Sequence, residues 1–181
     1  SPSMDILVSS NLERLLYHMT GRDDKKVSGW MQALSDTGRY TVDGDIAQRL
    51  RELFWAGCCD DTETKAVIRD VYEKKGYLCD THTAVAACVY EKYRSETGDN
   101  TPAVIASTAS PYKFARSVME AIGGDAYDGM DDFQLVDELE KVSGVAIPDA
   151  VSQIRTAPVL HNTTVDADQM PEIVKKILGI G

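Results

Sequence analysis

Apolar residues recur at helical spacing along most of the chain, and short polar or glycine-containing stretches separate these groups. The first group, Leu12, Leu15, Leu16 and Met19, follows a Ser-Ser-Asn stretch that is typical of a helix N-terminus. The same pattern predicts further helices at about 23–37, 45–53, 60–75, 80–96, 110–122, 131–143 and 168–178. Residues 149–155 are predicted to form a turn or a short helix. The chain is therefore predicted to be rich in helix.

Between the predicted helices lie a few short apolar runs that favour β-strands. Residues 102–108 form the clearest one, a continuous apolar run that starts at Pro102 and ends in Ser107 and Thr108. Such a run is typical of a central parallel strand that is buried on both faces. Residues 54–59 predict a second buried strand, and residues 39–42 and 78–79 predict shorter ones. Alternation of strands and helices predicts an α/β fold with short, mostly parallel strands flanked by helices.

Composition and charge narrow the possible classes of protein. The 181 residues are 43% hydrophobic and 27% charged, which excludes a disordered or collagen-like chain. The net charge of -10 argues against nucleic acid and against an anionic membrane surface as partners. No apolar run is long enough to predict a membrane-spanning helix, and the first residues lack the pattern of a secretory signal. Because the chain starts with Ser-Pro-Ser-Met, we expect a processed chain or a piece of a longer one.

The four cysteines, Cys58, Cys59, Cys79 and Cys88, do not show a metal-binding pattern. No two of them have the spacing of a C-x-x-C motif, and the three histidines are scattered, so no metal site is predicted. The cysteines are predicted to be reduced, partly buried thiols, as in a cytoplasmic protein.

The strongest candidate site is the junction of the predicted strand at 102–108 with the helix that follows. Two hydroxyls, Ser107 and Thr108, end the strand, and Ser110-Pro111 begins the helix. Ligands of open α/β sheets bind beyond the carboxyl ends of the strands, where helix N-termini offer free N–H groups. The same residues could instead only cap the helix. The pattern Ser110-x-x-Lys113 also occurs in penicillin-binding enzymes, but their companion motifs are absent here.

Two further polar motifs precede predicted helices. Residues 80–83, Asp-Thr-His-Thr, place a histidine in the first turn of a helix, where the helix dipole favours its neutral form. Residues 4–11 combine Asp5, Ser9 and Asn11 around a short apolar run. Helix capping alone explains both motifs equally well.

Taken together, these motifs resemble those of threonine synthase, specifically of its C-terminal part. The resemblance is found at residues 1–14, 80–85 and 107–114, with weaker matches at 54–57 and 63–64. It implies a tryptophan-synthase-β-like fold that binds pyridoxal 5'-phosphate (PLP). It also implies the conversion of O-phosphohomoserine and water to threonine and phosphate. The residue that faces the pyridine nitrogen of PLP in this family is a neutral hydroxyl, and the family motif maps it to Thr108.

The resemblance extends to other residues without assigning a step to any of them. We expect these to belong to the site or to support it: Asp5, Ser9, Asn11, Asp80, His82, Ser107 and Lys113. Many family members have histidine at the position of Ser110, so no role is transferred to this serine.

Two functional parts of the family have no counterpart in this sequence. The lysine that forms the Schiff base with PLP and the phosphate-binding loop precede the first motif found here, so no catalytic residue is expected in this chain. We therefore expect a C-terminal fragment, with the motifs at about 1–124 and a helical extension at about 125–181. Its partner would be the missing N-terminal half, without which it would be inactive.

Two other functions are compatible with the sequence. The first is a non-catalytic, threonine-synthase-like α/β module that acts with a partner chain. The second is another lyase of the same PLP fold type, such as a serine or threonine dehydratase, for which the motifs at 4–14 and 80–85 are not expected.

Overall fold

The computed structural model describes residue 6 and residues 8–180, and the regular structure of these residues is helical. The α-helices are α1 Ser10–Met19, α2 Asp24–Thr37, α3 Gly44–Leu53, α4 Asp61–Lys75, α5 Thr81–Thr97, α6 Ala115–Gly123, α7 Asp132–Ser143, α8 Asp149–Ile154 and α9 Met170–Leu178. Short 3-10 turns lie at Pro111–Phe114, Gly124–Tyr127 and Ala167–Gln169. The predicted abundance of helix is confirmed.

Side-chain caps fix where several of these helices begin. Ser9 caps α1, Asp23 caps α2, and Asp60 forms a reciprocal capping box with Glu63 at the start of α4. Helix α3, predicted at about 45–53, begins at Gly44, and its cap position is occupied by Asp43, whose side chain makes no capping hydrogen bond. The sequence pattern thus locates the starts of α1 to α4 to within one or two residues.

Helices α1 to α3 share a small apolar core. Its buried members are Leu16, Met19, Val27, Trp30 and Ile46. The Trp30 ring stacks on Tyr40, with 6.4 Å between the ring centroids. Tyr40 and Val42 belong to the predicted strand at 39–42, but they contribute to this core as a coil segment.

A second group of helices, α4 to α7, surrounds the buried residues Ile68, Ala84, Val118, Met119 and Leu139. Helix α4 packs against α5 and α6, and α6 packs against α7. Polar contacts from α4 join the same helices. To α6, Lys65 pairs with Glu120 at 2.8 Å, and Arg69 donates to the Ala121 carbonyl at 2.7 Å. To α7, Tyr72 donates to the Val142 carbonyl at 2.9 Å. These helices support the two chain segments of the candidate site.

Residues 146–181 form a separate compact unit. It contains α8, the turn Ala167–Gln169 and α9, and it has no buried residue among those described. In α9, Ile177 and Leu178 are largely exposed.

The predicted strands are not found in the described residues. The expectation that residues 102–108 are buried on both faces is wrong, since these residues are an exposed segment without regular secondary structure, in which Val104 is 98% exposed. A parallel strand needs a neighbouring strand for its hydrogen bonds, and no other described segment forms one. The parallel sheet therefore stays a prediction.

The predicted strand at 54–59 is a coil that contacts α5 through side chains. Trp55 packs edge to face on Tyr93, and Lys92 donates to the Cys58 carbonyl at 2.9 Å.

A disulfide joins Cys59 to Cys88, so the prediction that all four cysteines are reduced is wrong. The sequence carries no local signal for this pair, because the two residues are 29 positions apart and meet only through the packing of α5.

None of the helices in the described ranges combines the length and the apolar character that crossing a membrane requires.

Candidate functional site

Asp80 lies at the N-terminus of α5 and is fully buried. Its Oδ1 accepts hydrogen bonds from the backbone N–H groups of His82 (2.8 Å) and Thr83 (3.2 Å), as expected of a helix cap. Its Oδ2 accepts a short hydrogen bond from the Thr83 hydroxyl. Three donors thus compensate the burial of this carboxylate.

Thr83 connects the start of α5 to the segment at 102–108. Its Oγ1 lies 3.1 Å from Ser107 Oγ, and the Tyr77 hydroxyl donates to the same Ser107 oxygen at 3.2 Å. The motifs at 80–83 and 107–114, which are 24 or more residues apart in the sequence, are therefore neighbours. Through Thr83, the structure brings Asp80 close to Ser107.

Thr108 follows Ser107 directly, and its side chain is exposed. Beyond it, Ser110 accepts a hydrogen bond from the Tyr112 N–H at 3.3 Å, and Pro111 occupies the first helical position. The element that begins here is a four-residue 3-10 turn, Pro111–Phe114, and not the regular helix that the sequence predicted. An anion-binding helix N-terminus is therefore not formed at this point, and the chemistry of the junction rests on its hydroxyls.

His82 and Lys113 both contact the ring of Phe114. The His82 ring contacts Phe114 edge to face, with centroids 4.9 Å apart. The Lys113 ammonium lies 5.6 Å from the centre of the same ring, a distance typical of a cation–π contact. His82 is half-buried and Lys113 is exposed, so the ammonium group is accessible from solvent.

The remaining predicted residues are not brought into this cluster. The Ser9 hydroxyl accepts from the Leu12 N–H at 3.4 Å, and Asn11 bonds Arg14, so in the described residues their partners lie within α1. Asp5 lies outside the described residues.

A buried thiol lies beside the cluster. Burial raises the pKa of the Cys79 thiol, and the adjacent Asp80 carboxylate raises it further. Cys79 is therefore a poor nucleophile near neutral pH.

One other group has the composition of a metal site. Ligand atoms of Cys59, Glu63 and Cys88 lie within 4.8 Å of one another. The disulfide occupies both sulfurs, and Glu63 pairs with Lys92 at 2.7 Å, so this group offers no free ligands in the structure.

Two members of the cluster, Tyr77 and Thr83, were not singled out from the sequence. Thr83 lies within the matched motif at 80–85, which was its available signal. Tyr77 has no local signal, because its partner Ser107 is 30 residues away.

The comparisons with known proteins point to a single family. The family model described as "Threonine synthase, C-terminal" matches residues 83–157. The chain resembles the C-terminal part of threonine synthase. The resemblance inferred from the sequence motifs is therefore confirmed. The matched region begins at Thr83 and includes the junction at 107–114, so it contains Thr83, Ser107 and Thr108 but not Tyr77 or Asp80.

Individual relatives of the threonine synthase family agree with this. Threonine synthase from Saccharomyces cerevisiae is 36% identical over 157 residues, which are 79% of this chain and 30% of that protein. Threonine synthase-like 1 from Homo sapiens is 36% identical over 122 residues, 67% of this chain and 16% of that protein. The crystal structure of PLP-bound threonine synthase from Brucella melitensis superposes with a TM-score of 0.61 at 34% identity, over 87% of this chain and 34% of that one. The chain thus spans about a third or less of the length of these relatives.

Proposed function

We propose that this chain is the C-terminal part of a PLP-dependent threonine synthase. The whole protein would be a lyase that converts O-phosphohomoserine and water to threonine and phosphate. The observation that best supports this is the exposed Thr108 hydroxyl, next to a serine that the motif at 80–83 binds.

The residues around Thr108 suit the pyridine nitrogen of PLP. The neighbouring polar groups are the hydroxyls of Ser107, Thr83 and Tyr77. The carboxylate in this cluster, Asp80, is fully buried, and both of its oxygens already accept hydrogen bonds. The group that would face a ligand here is therefore a neutral hydroxyl. It would bond the pyridine nitrogen but, unlike a carboxylate, would not hold a proton on it.

When bound, PLP supplies the electron sink that stabilises a substrate carbanion. Thr108 would orient the cofactor ring by a hydrogen bond. Because a hydroxyl is neutral, PLP would be a weaker electron sink than it is with a carboxylate at its pyridine nitrogen. His82 and Lys113, which both contact Phe114, would support this part of the site by packing. The lysine that binds PLP covalently and the loop that binds its phosphate would come from the rest of the protein.

Replacement of Thr108 by valine in the whole protein tests this assignment. Thr108→Val keeps the shape of the side chain but removes the hydroxyl. We expect kcat to fall about 10- to 100-fold, which corresponds to the loss of one hydrogen bond of about 1.4–2.7 kcal/mol. We also expect a changed visible absorbance of the bound PLP.

The matched controls are Thr108→Ser, which keeps the hydroxyl, and Thr62→Val, which removes an exposed hydroxyl in the first turn of α4. Both should retain activity within about 3-fold. If Thr108→Val has the kinetics and the spectrum of the wild-type protein, Thr108 does not face PLP.

The alternative function is a threonine-synthase-like module without threonine synthase activity. The match to human threonine synthase-like 1 over 67% of this chain supports it. Purified whole protein that binds PLP but releases no phosphate from O-phosphohomoserine would favour this alternative. A cytoplasmic location stays a prediction for either function.

A further inference from the structure

The cluster beside Thr108, which consists of Tyr77, Asp80, Thr83 and Ser107, contains more hydrogen bonds than helix capping requires. Capping of α5 is complete with the two backbone N–H groups that Asp80 Oδ1 accepts. The contacts from Asp80 Oδ2 to Thr83, and from Thr83 to Ser107, add nothing to the cap. We propose that Thr83 is a positioning residue. It is held by the buried Asp80 and, by its contact with Ser107, holds the adjacent Thr108 in a fixed place. This inference rests on the proposed function of Thr108.

Counting hydroxyl protons gives the cluster a direction. A carboxylate only accepts hydrogen bonds, so the single hydroxyl proton of Thr83 goes to Asp80. The contact of 3.1 Å between Thr83 and Ser107 must then use the proton of Ser107, and that of Tyr77 completes the contact of 3.2 Å with Ser107. Each hydroxyl donates once, so the rotation of all three is fixed.

The segment at 102–108 needs such an anchor because no described strand pairs with it. Side chains of α5 hold it at two points. Tyr90 donates to the Thr101 carbonyl at 3.5 Å just before the segment, and Thr83 bonds Ser107 next to Thr108. The second contact lies one residue from the proposed cofactor partner, where a hydrogen bond must be placed to within a few tenths of an ångström.

Thr81 provides a matched control within the same helical turn. Thr81 and Thr83 are both 8% exposed, but the Thr81 hydroxyl has no hydrogen-bond partner among the described residues. Valine at either position removes one buried hydroxyl and keeps the side-chain volume. Only the replacement at 83 breaks the connection to Ser107.

The first experiment uses the 181-residue chain and requires no cofactor. The NMR order parameter of the Thr108 amide is measured in the wild-type chain, Thr83→Val, Thr83→Ser and Thr81→Val. We expect a fall from about 0.85 towards 0.6 in Thr83→Val only. Equal order parameters in all four proteins would overturn the positioning role. Ser107→Ala, at an exposed position, should show the same fall and serves if Thr83→Val does not fold.

The second experiment uses the PLP-loaded whole protein. Thr83→Val and Ser107→Ala should lower kcat about 5- to 10-fold with little change in KM. They should also shift the visible absorbance of PLP in the same direction as Thr108→Val. Thr83→Ser should restore both, and Thr81→Val should resemble the wild-type protein.

The two proposals fail in different ways. A Thr108→Val effect without a Thr83→Val effect removes the positioning role and leaves the proposed function intact. The absence of any Thr108→Val effect removes both.

Discussion

At the scale of single residues, equal burial does not imply equal function. Thr81 and Thr83 lie two positions apart and are equally exposed, but one hydroxyl has no described partner and the other joins two chain segments. Sequence patterns identify the motif that contains both. They do not separate the two residues, because the difference depends on Ser107, which is brought near by the packing of α5.

Asp99 shows how local contacts set the charge of an exposed residue. The Tyr93 hydroxyl donates to its Oδ2 at 2.6 Å, and the side chain and N–H of Thr101 also bond it. These bonds lower the pKa of Asp99 from its ordinary 3.8 to about 2. Because the folded pKa is the lower one, its stabilisation is complete above about pH 4 and is lost as the pH falls towards 2.

Titration of the Asp99 carboxyl carbon by NMR should therefore give a midpoint of about 2. Removal of the main donor in Tyr93→Phe should move the midpoint towards 3.8. Tyr72→Phe, which removes a hydroxyl that bonds the distant Val142 carbonyl, should leave it unchanged. A wild-type midpoint near 4 would show that these hydrogen bonds are not formed in solution.

At the scale of elements, helices were predicted more accurately than strands because their signals are local. Each signal acts within four residues of a helix end. At the N-termini the signals are the caps Ser9, Asp23 and Asp60, and at the C-termini of α4 and α5 they are Gly76 and Gly98, which have positive φ. A buried strand is instead defined by its neighbours. The apolar run at 102–108 has the composition of such a strand, but it remains an exposed coil in the absence of a partner strand.

The disulfide also acts at the scale of elements, since it links the coil at 54–59 covalently to α5. Closing a loop of 29 residues stabilises a fold by about 3.6 kcal/mol in the chain-entropy model. We expect Cys59→Ala, or reduction, to lower the free energy of unfolding in urea by up to this amount. Cys58→Ala, at an exposed unpaired cysteine, should change it little.

Counting thiols provides an independent check of the disulfide. Alkylation of the urea-unfolded, unreduced chain should modify Cys58 and Cys79 only, and prior reduction should add two further modifications. Four modifications without reduction would contradict the pairing.

At the scale of the whole molecule, the proposed function makes the residues at 77–83 and 107–114 one side of a PLP site. Thr108, the residue proposed to bond the ring, lies in this chain, but nothing in the sequence matches the lysine or the phosphate-binding loop of the family. The motifs, their order and the cofactor were accessible from the sequence because they are short and specific. The spatial closeness of Asp80 and Ser107 was not, since helix packing determines it.

The 181-residue chain by itself is therefore expected to catalyse no threonine synthesis. Incubation with PLP, reduction with borohydride and mass spectrometry should show no lysine modified at a one-to-one ratio. Lys113 is the residue to inspect, because it is exposed and near the site. Stoichiometric, activity-linked modification of Lys113 would contradict the assignment of the catalytic lysine to the rest of the protein.

The exposed segment at 102–108 has a consequence for handling this chain in solution. The unpaired backbone N–H and C=O groups of an exposed apolar segment are a template on which a second molecule can add a strand. Copies are kept apart mainly by the net charge of -10, and this repulsion disappears near the isoelectric point of about 4.7. Colloidal stability is therefore governed by buffer pH and ionic strength, and a concentrated, mildly acidic or high-salt sample favours association through Val104 and its neighbours.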